Sequence, residues 1–430
     1  KPPEGWAPRE RRAPAGGGRE DLKVPFREKD EAKELGARWD AEAKVWYVPA
    51  GAPGRAKLLE RWGLREPGAS LAQEVRPLEA EAAVGSVAGL QELVSFRRRS
   101  SGVAHNKFVV LVPPGGDAPS VWTGSTNLTE SGVFGQSNVG HVVNGDRAVA
   151  EEYLAYWQKL ADDCETRELA RWNASCVEDA GLPLAGGAAR VGETSASAVM
   201  SPRPTLALLD HYARLLGQAR SCACLTAAFG VNRKLADVLA SEDGSALAYV
   251  VLEQPGKTFA QLSANPRVRT AVGAVLGALE LRDGLEEDAG WTEECLTGLN
   301  RHVHFVHEKL LLVDPLGDAP VVVTGSANFS QASVEKNDEN VLFIAGDLRC
   351  ADLYFVEFWR LHRHWKFRDA ASQRARDRRE DRKVGREERP PLRLSLAEDD
   401  SWAEAFYERG SPKCLEREML MAMHVPAAQA

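Results

Sequence analysis

Two stretches of this 430-residue chain repeat one pattern of apolar and polar positions. Val109–Val112 and Leu310–Val313 are short, unbroken apolar runs, the pattern of strands buried on both faces. Pro, Gly and Asp mark Pro113–Ser120 and Pro315–Ala319 as turns. A second apolar run follows in each copy, Val121-Trp122-Thr123 in one and Val322-Val323-Thr324 in the other, and each leaves its strand through Gly-Ser-x-Asn. Helical patterns rich in aromatics come next, over 148–160 and 351–362. Self-similarity of this kind implies two copies of one α/β unit.

The second copy has a full lead-in. The pattern predicts a helix over Thr205–Ala219, a strand over Cys222–Phe229, a helix over Lys234–Ala240 and a strand over Ala246–Leu252. The first copy has no such lead-in, and Lys1-Pro2-Pro3-Glu4-Gly5 resembles Gln254-Pro255-Gly256-Lys257, so its N-terminal strands are expected upstream of Lys1. Lys1 precedes His105 by 104 positions and Gln254 precedes His307 by 53, which leaves an excess of 51 residues in the first copy. An inserted module of that size fits between Gly16 and roughly Glu66. Within it Val24-Pro25-Phe26 reads as a strand, Glu28–Leu35 as a helix capped by Gly36, and Ala37–Asp40 and Val45–Pro49 as two strands joined by a turn, a βαββ order. Its tryptophans suit a small core; a stacking surface for nucleic acid is the other reading.

Composition narrows the class. Apolar residues make up 44% of the chain, enough for a sizeable core, and the net charge of −8 argues against a uniformly basic coat while leaving room for a local basic cleft. Seven scattered cysteines without a Cys-x-x-Cys pair read as a reduced set, with Cys222 and Cys224 in the core. No apolar stretch approaches the ~20 residues that span a bilayer. The expected location is cytoplasmic, with any signal upstream of Lys1 left open.

The repeated motif carries the chemistry. Side chains two apart on a strand share a face, so His105 pairs with Lys107 and His307 with Lys309. Asn127 and Asn328 add amide donors at the strand exits, 22 and 21 positions after their histidines. Brought together, two imidazoles, two ammoniums and two amides make a pocket for a tetrahedral phosphate. One neutral imidazole can attack phosphorus, the other can protonate the leaving alkoxide and then take a proton from water, and the lysines stabilise the developing charge. The lysines supply that charge, so no metal or other cofactor is expected. His302 and His304 suggest a metal beside His307, but strand alternation turns them to the opposite face.

The pattern His-x-Lys-x-x-x-x-Asp followed by Gly-Ser-x-Asn resembles the signature of the phospholipase D superfamily. The second copy holds it in full, as His307, Lys309, Asp314, Gly325, Ser326 and Asn328 with Glu339 beyond. The first has His105, Lys107, Gly124, Ser125 and Asn127, with Asn138 in the following segment; Val112 stands where Asp is usual and Gly140 where Glu is usual. The resemblance implies a duplicated α-β-α sandwich with pseudo-two-fold symmetry, His105 as nucleophile, His307 as acid, and Ser125, Ser326, Asp314, Asn138 and Glu339 in support. Glu339 is expected to hold His307, and the departures at Val112 and Gly140 bear on how His105 is oriented. Gly-Ala-Arg-Trp-Asp and Trp-Tyr-Val-Pro (36–40 and 46–49) resemble a small domain of unknown function found beside bacterial DNA-processing enzymes.

The division expected is 1–19 as a remnant of the first half, 20–68 as the inserted module, 69–180 and 181–368 as the two halves, and 369–430 as a basic linker and tail. Trp359–Arg393 holds 13 basic and 6 acidic residues, read as a solvated, partly helical linker or as an arm for a polyanion. The resemblance leaves the phosphodiester open. Nucleic acid is favoured by the inserted module, the basic run and the lack of an interfacial apolar helix. A phospholipid hydrolase or transphosphatidylase is the alternative, and a non-catalytic phosphate binder the third reading. The oligomeric state stays open.

Overall fold

The structure is a computed structural model. Within residues 1–95 it describes 20–22, 24, 29–40, 45–49, 55, 58, 84, 89 and 92–95, and within 96–430 all but 116–117, 185–190, 242–245, 274–304, 393–398 and 422–430. Residues 1–95 and 96–430 form two separate compact units. The remnant expected over 1–19, the turn at 41–44, and His302 and His304 lie outside the described residues.

In the first unit β1 (Glu20–Leu22), α1 (Lys29–Glu34), β2 (Arg38–Asp40) and β3 (Val45–Val48) form the βαββ order, with an antiparallel sheet ordered β1-β3-β2. The strand expected at Val24-Pro25-Phe26 lies earlier, at Glu20–Leu22, and Val24 is outside it. A proline lacks the N–H that a ladder needs, which favours a strand that stops short of it. Gly36, at φ +99, ends α1: its N–H reaches the Lys33 carbonyl, and the Ala37 N–H reaches that of Ala32. The tryptophans divide their roles. Trp46 is buried with Leu22, Ala32, Val48 and Leu58, whereas Trp39 stays half-exposed with its ring 5.4 Å from that of Trp46.

The second unit begins with β4 (Phe108–Leu111), β5 (Ser120–Gly124), α2 (Glu130–Phe134), β6 (Gly140–Val143), α3 (Arg147–Ala161) and α4 (Thr166–Cys176). Then come β7 (Ser195–Ser201), α5 (Ala207–Gly217), β8 (Cys222–Ala227), α6 (Arg233–Leu239), β9 (Leu247–Leu252), α7 (Phe259–Ala264) and β10 (Val268–Val272). The second motif lies on β11 (Leu310–Val313), β12 (Val321–Gly325), α8 (Gln331–Glu335), β13 (Glu339–Ala345) and α9 (Leu348–Val384), followed by α10 (Glu404–Tyr407) and α11 (Pro412–Met421). Seven strands make one mixed sheet in the order β10-β9-β8-β11-β12-β13-β7, and β4-β5-β6 make a smaller antiparallel sheet. The fold is the expected α/β sandwich.

Burial explains the layers. One face of the large sheet packs under α5 and α6 through Leu208, Tyr212, Leu235, Leu311, Val323 and Phe343. The other face shares a core with the first half, where Tyr153 and Tyr156 of α3 and Val121 of β5 join Leu310, Leu312 and Phe358. Both α3 and α9 start on an aspartate cap, Asp146 accepting from the Val149 N–H and Asp347 from the Cys350 N–H. The basic run read as a partly helical linker continues α9 as far as Val384, and many of its charges are paired: Arg378 with Glu388, and Arg389 with Asp377 and Asp381. Cys222 and Cys224 are fully buried, and all six described cysteines are free. Among the described residues, no helix is long and apolar enough to cross a membrane.

Asp314 has a structural post. At φ +44, just past β11, its carboxylate accepts from the N–H groups of Arg220, Ser221 and Cys222 and from the Ser221 hydroxyl. It pins the entry of β8 to the far end of β11 from Lys309. Asp314→Ala is therefore expected to lower the unfolding free energy by about 1.5–3 kcal/mol, read as a reduced urea midpoint with unchanged slope.

Candidate active site

The site is made where the two halves exchange backbone hydrogen bonds. The His105 N–H donates to the Asp338 carbonyl at 3.0 Å, and the Asp338 N–H donates to that of Val103 at 3.0 Å. The other copy repeats this, with the His307 N–H on the Ser137 carbonyl at 3.1 Å and the Ser137 N–H on that of Phe305 at 2.6 Å. Each histidine-bearing strand thus starts by pairing with the segment that follows Gly-Ser-x-Asn in the opposite half.

This exchange decides what each imidazole meets. His105 Nδ1 lies 2.8 Å from Glu339 Oε2, and His307 Nδ1 lies 2.9 Å from Asn138 Oδ1. Glu339 therefore holds His105, not His307 as the sequence reading had it. Its counterpart in the first copy is Asn138 rather than Gly140, because both residues lie thirteen positions after the motif serine and both receive its hydroxyl hydrogen bond. Ser125 Oγ donates to Asn138 Oδ1 at 2.8 Å, and Ser326 Oγ donates to Glu339 Oε2 at 2.6 Å. The same serine oxygens accept from the Val139 and Asn340 N–H groups, both at 3.0 Å. The motif glycines permit that approach: a Cβ on Gly124 or Gly325 would strike the carbonyl of Val139 or Asn340 on the neighbouring strand. Asn138 is itself oriented, its Nδ2 donating to the Gly132 carbonyl at 2.8 Å, and Asn337 Nδ2 donates to Glu339 Oε1 at 3.3 Å.

With Nδ1 engaged, each ring keeps Nε2 as its other ionisable atom. Lys107 Nζ and Lys309 Nζ each donate to the carbonyl of the histidine two residues earlier at 2.6 Å, which keeps each ammonium on its histidine's face. Both lysines are buried. Burial pulls Lys309 down to about 7, helped by the charge of Lys107, and pulls Lys107 down to about 8 against the attraction of Glu339. His307 falls to about 3, chiefly through burial and then through the charges of Lys309, Lys107 and His105. The charges of Lys107 and His105 act on His307 as well as that of its own Lys309, so the two His-x-Lys pairs share one electrostatic neighbourhood. Buried positive charge held in this way suits an anion.

Not every residue singled out in the sequence is placed among these groups. Asp314 lies at the opposite end of β11 and touches neither imidazole, and Val112, in the matching position, is exposed. Its departure from Asp therefore leaves the orientation of His105 untouched, since Glu339 sets it. Asn127 and Asn328 are half-buried at the exits of β5 and β12, and their side-chain amides make no hydrogen bond among the described residues. Sequence reasoning missed Asn340, fully buried, which bridges the halves. Its Oδ1 accepts from Thr123 Oγ1 at 2.5 Å and from Tyr153 Oη at 3.2 Å, and its Nδ2 donates to Asn106 Oδ1 at 3.0 Å. It also missed Arg97, which donates to Asp338 Oδ2 and Asp163 Oδ1, each at 3.0 Å. The one sequence signal was a cluster of Asn and Asp at 337–340.

Lys309 gives a stability test. It loses its proton near pH 7 when folded but near the ordinary ~10.4 when unfolded, so stability rises with pH between those values. Lys309→Met removes a buried charge and is expected to raise the unfolding free energy by about 1–4 kcal/mol below pH 7. The gain should shrink as pH climbs above 7, as denaturant titrations at pH 6 and pH 9 would show.

Residues 221–362 match a family model described as "Cardiolipin synthase, PLD-like domain", and residues 19–63 match one described as "Domain of unknown function (DUF5710)". The DNA primase TraC of Escherichia coli is 64% identical over 39 residues, 9% of this chain and only 4% of the primase. Among solved structures, NucT from Helicobacter pylori is similar at 16% identity with a TM-score of 0.29, covering 39% of this chain and 96% of its own. Nuc from Salmonella typhimurium, a phospholipase D family member, is similar at 20% identity and a TM-score of 0.28, covering 40% and 96%. Phosphatidylserine synthase from Haemophilus influenzae is similar at 13% identity and a TM-score of 0.37, covering 63% and 64%. Residues 221–362 thus match a PLD-like domain, and the His-x-Lys and Gly-Ser-x-Asn pattern they carry is repeated over 105–127.

Proposed function

We propose that this protein hydrolyses phosphodiesters through a covalent phosphohistidine on His105, with His307 as general acid and then general base, and that its substrate is nucleic acid. The observation that carries this reading is the unequal pairing of the two rings, His105 with a carboxylate and His307 with a neutral amide. A carboxylate on Nδ1 fixes the proton there, leaves Nε2 with its lone pair and offsets the positive charge of a phosphorylated imidazole. An amide gives no such support to an imidazolium, so a protonated His307 gives up its proton readily.

The steps balance. The lone pair of His105 Nε2 attacks phosphorus, the bond to the leaving oxygen breaks, and His307 delivers its Nε2 proton to that oxygen. Water then attacks the phosphorus, its proton returns to His307, and the N–P bond breaks. Lys107 and Lys309 stabilise the equatorial oxygens, and Asn127 and Asn328 are the amide donors assigned to the same task. Burial and the charges of Lys309, Lys107 and His105 hold His307 well below its ordinary pKa, so only a small fraction is protonated at neutral pH before substrate arrives. An incoming phosphodiester anion offsets the two lysines and raises that fraction, so acid catalysis is coupled to binding.

Nucleic acid is favoured by the module at 19–63, whose sequence resembles domains beside DNA-processing enzymes, and by the short stretch shared with a DNA primase. The description of the matched domain as cardiolipin synthase favours the second reading, a phospholipid. The test incubates the full chain, in EDTA, with single- and double-stranded DNA, RNA, a chromogenic phosphodiester and phosphatidylcholine vesicles. Nucleic-acid cleavage that persists in EDTA and drops at least about a thousandfold in His307→Ala and Lys309→Ala is expected. Full activity in Lys309→Ala contradicts the pocket, and release of choline alone moves the substrate to lipid. Asn138→Asp is expected to raise the pKa of His307 and to move the acidic limb of the pH–rate profile upward.

A further inference from the structure

The segment that delivers His105 is held along its length. The N–H groups of Arg98 and Arg99 donate to Asp163 Oδ1 at 2.8 and 2.9 Å, that of Ser101 to Thr166 Oγ1 at 2.7 Å, and that of Val103 to Asn337 Oδ1 at 3.1 Å. Gly102 passes so close to the other half that a Cβ there would strike the Lys336 carbonyl. Arg97 stands at the head of this segment and joins its two supports. Its Nε donates to Asp338 Oδ2 and its Nη1 to Asp163 Oδ1, each at 3.0 Å, and Nη1 donates also to the Cys164 carbonyl. Asp163 lies in the turn between α3 and α4 at φ +49, a conformation uncommon for a residue with a side chain, and there it serves three donors from 97–99.

Asp338 is the seat of His105. Its carbonyl accepts the His105 N–H, its own N–H reaches the Val103 carbonyl, and the next residue, Glu339, meets His105 Nδ1. Its side chain is only 1% exposed, and a buried carboxylate is costly without a counter-charge. Burial pushes Asp338 upward, and the Arg97 guanidinium works against that. The matching seat in the second copy is neutral. Ser137, one residue before Asn138, accepts the His307 N–H on its carbonyl and donates its hydroxyl to the Phe305 carbonyl at 2.8 Å. A serine therefore suffices for the backbone exchange, and the ion pair at the other seat serves a further purpose. Neighbouring side chains on extended backbone point opposite ways, so a clamp on Asp338 from one side steadies Glu339 on the other. We infer that Arg97 is a positioning residue for the nucleophile: by tying Asp338 to Asp163 across the halves, it holds the Glu339 carboxylate and the backbone seat of His105 in register.

The assignment of His105 as nucleophile rests on the proposed function; its positioning by Arg97 is read in the resting protein as well. The experiment uses the full chain with Arg97→Met, with Arg97→Lys, and with Arg97→Met and Asp338→Asn together, which removes the buried carboxylate along with its partner and keeps the fold, as circular dichroism would check. In Arg97→Met, kcat on the chromogenic phosphodiester is expected to fall roughly tenfold to a hundredfold, with KM within about twofold of the parent. Arg97→Lys keeps the charge but not the fork that reaches Asp338, Asp163 and Cys164 together, so it should recover only part of the loss. The double variant should fold and still show the fall in kcat. Nitrogen NMR of the neutral rings needs no turnover: His105 should lose its Nδ1–H form in Arg97→Met and in the double variant, while His307 keeps its spectrum. A parent chain that cleaves no phosphodiester would sink the proposed function and leave the ring spectra to decide on Arg97. An unchanged His105 spectrum in both variants overturns the inference, as does parental kcat in either. Equal changes in both rings would mark a general loosening and overturn it too.

Discussion

The structure depends on a reciprocal exchange of backbone between its halves. Ala104 bridges to Asp338, Ser137 bridges to Val306, and the hydrogen bonds on either side place each imidazole against a side chain from the other copy. Neither half can orient its own histidine, because the acceptor for each Nδ1 follows the Gly-Ser motif of its partner half. Packing reinforces the arrangement: tyrosines of α3 and strands of the second half share one core, and Asn340 ties Thr123, Tyr153 and Asn106 across the seam. A shift of one residue in either bridge would turn the histidine to the wrong face.

The same seam collects charge that an empty site does not favour. Burial depresses both ammoniums, the charge of Lys107 lowers Lys309 further, both lower His307, and Glu339 is the carboxylate that both lysines feel. Such a cluster trades stability for a preorganised positive field, which an arriving phosphate relieves. The unequal partners of the two rings then separate their tasks, a division that a symmetric pair of carboxylates would not make.

Much of this was legible in the sequence. The repeated apolar runs and the His-x-Lys spacing point to the strands, since alternation fixes which side chains share a face; β11 is buried on both faces as its run predicts, whereas β4 leaves Val109 and Leu111 exposed. The helices at 207–217 and 233–239 and the strands at 222–227 and 247–252 followed from periodicity. What stayed hidden was set by tertiary pairing. Sequence order pairs Glu339 with the histidine of its own copy, because sequence distance says nothing of strand exchange between halves. Motif spacing points to Gly140 as the departure, whereas Asn138 takes the place of Glu339, a correspondence visible only in the hydrogen bond that each receives from its motif serine. Asp314 looked like part of the site because it lies in the motif, yet its carboxylate serves the N–H groups of 220–222. The length of α9 was masked by a polar, charge-rich sequence whose arginines find carboxylates on the same helix and just beyond it.

The most direct measurement is mass spectrometry of the full chain quenched in alkali during turnover of a phosphodiester, with the modified peptide sequenced. The account predicts a phosphoryl adduct on His105 and none on His307. An adduct on His307, or turnover with no adduct on either ring, would contradict it.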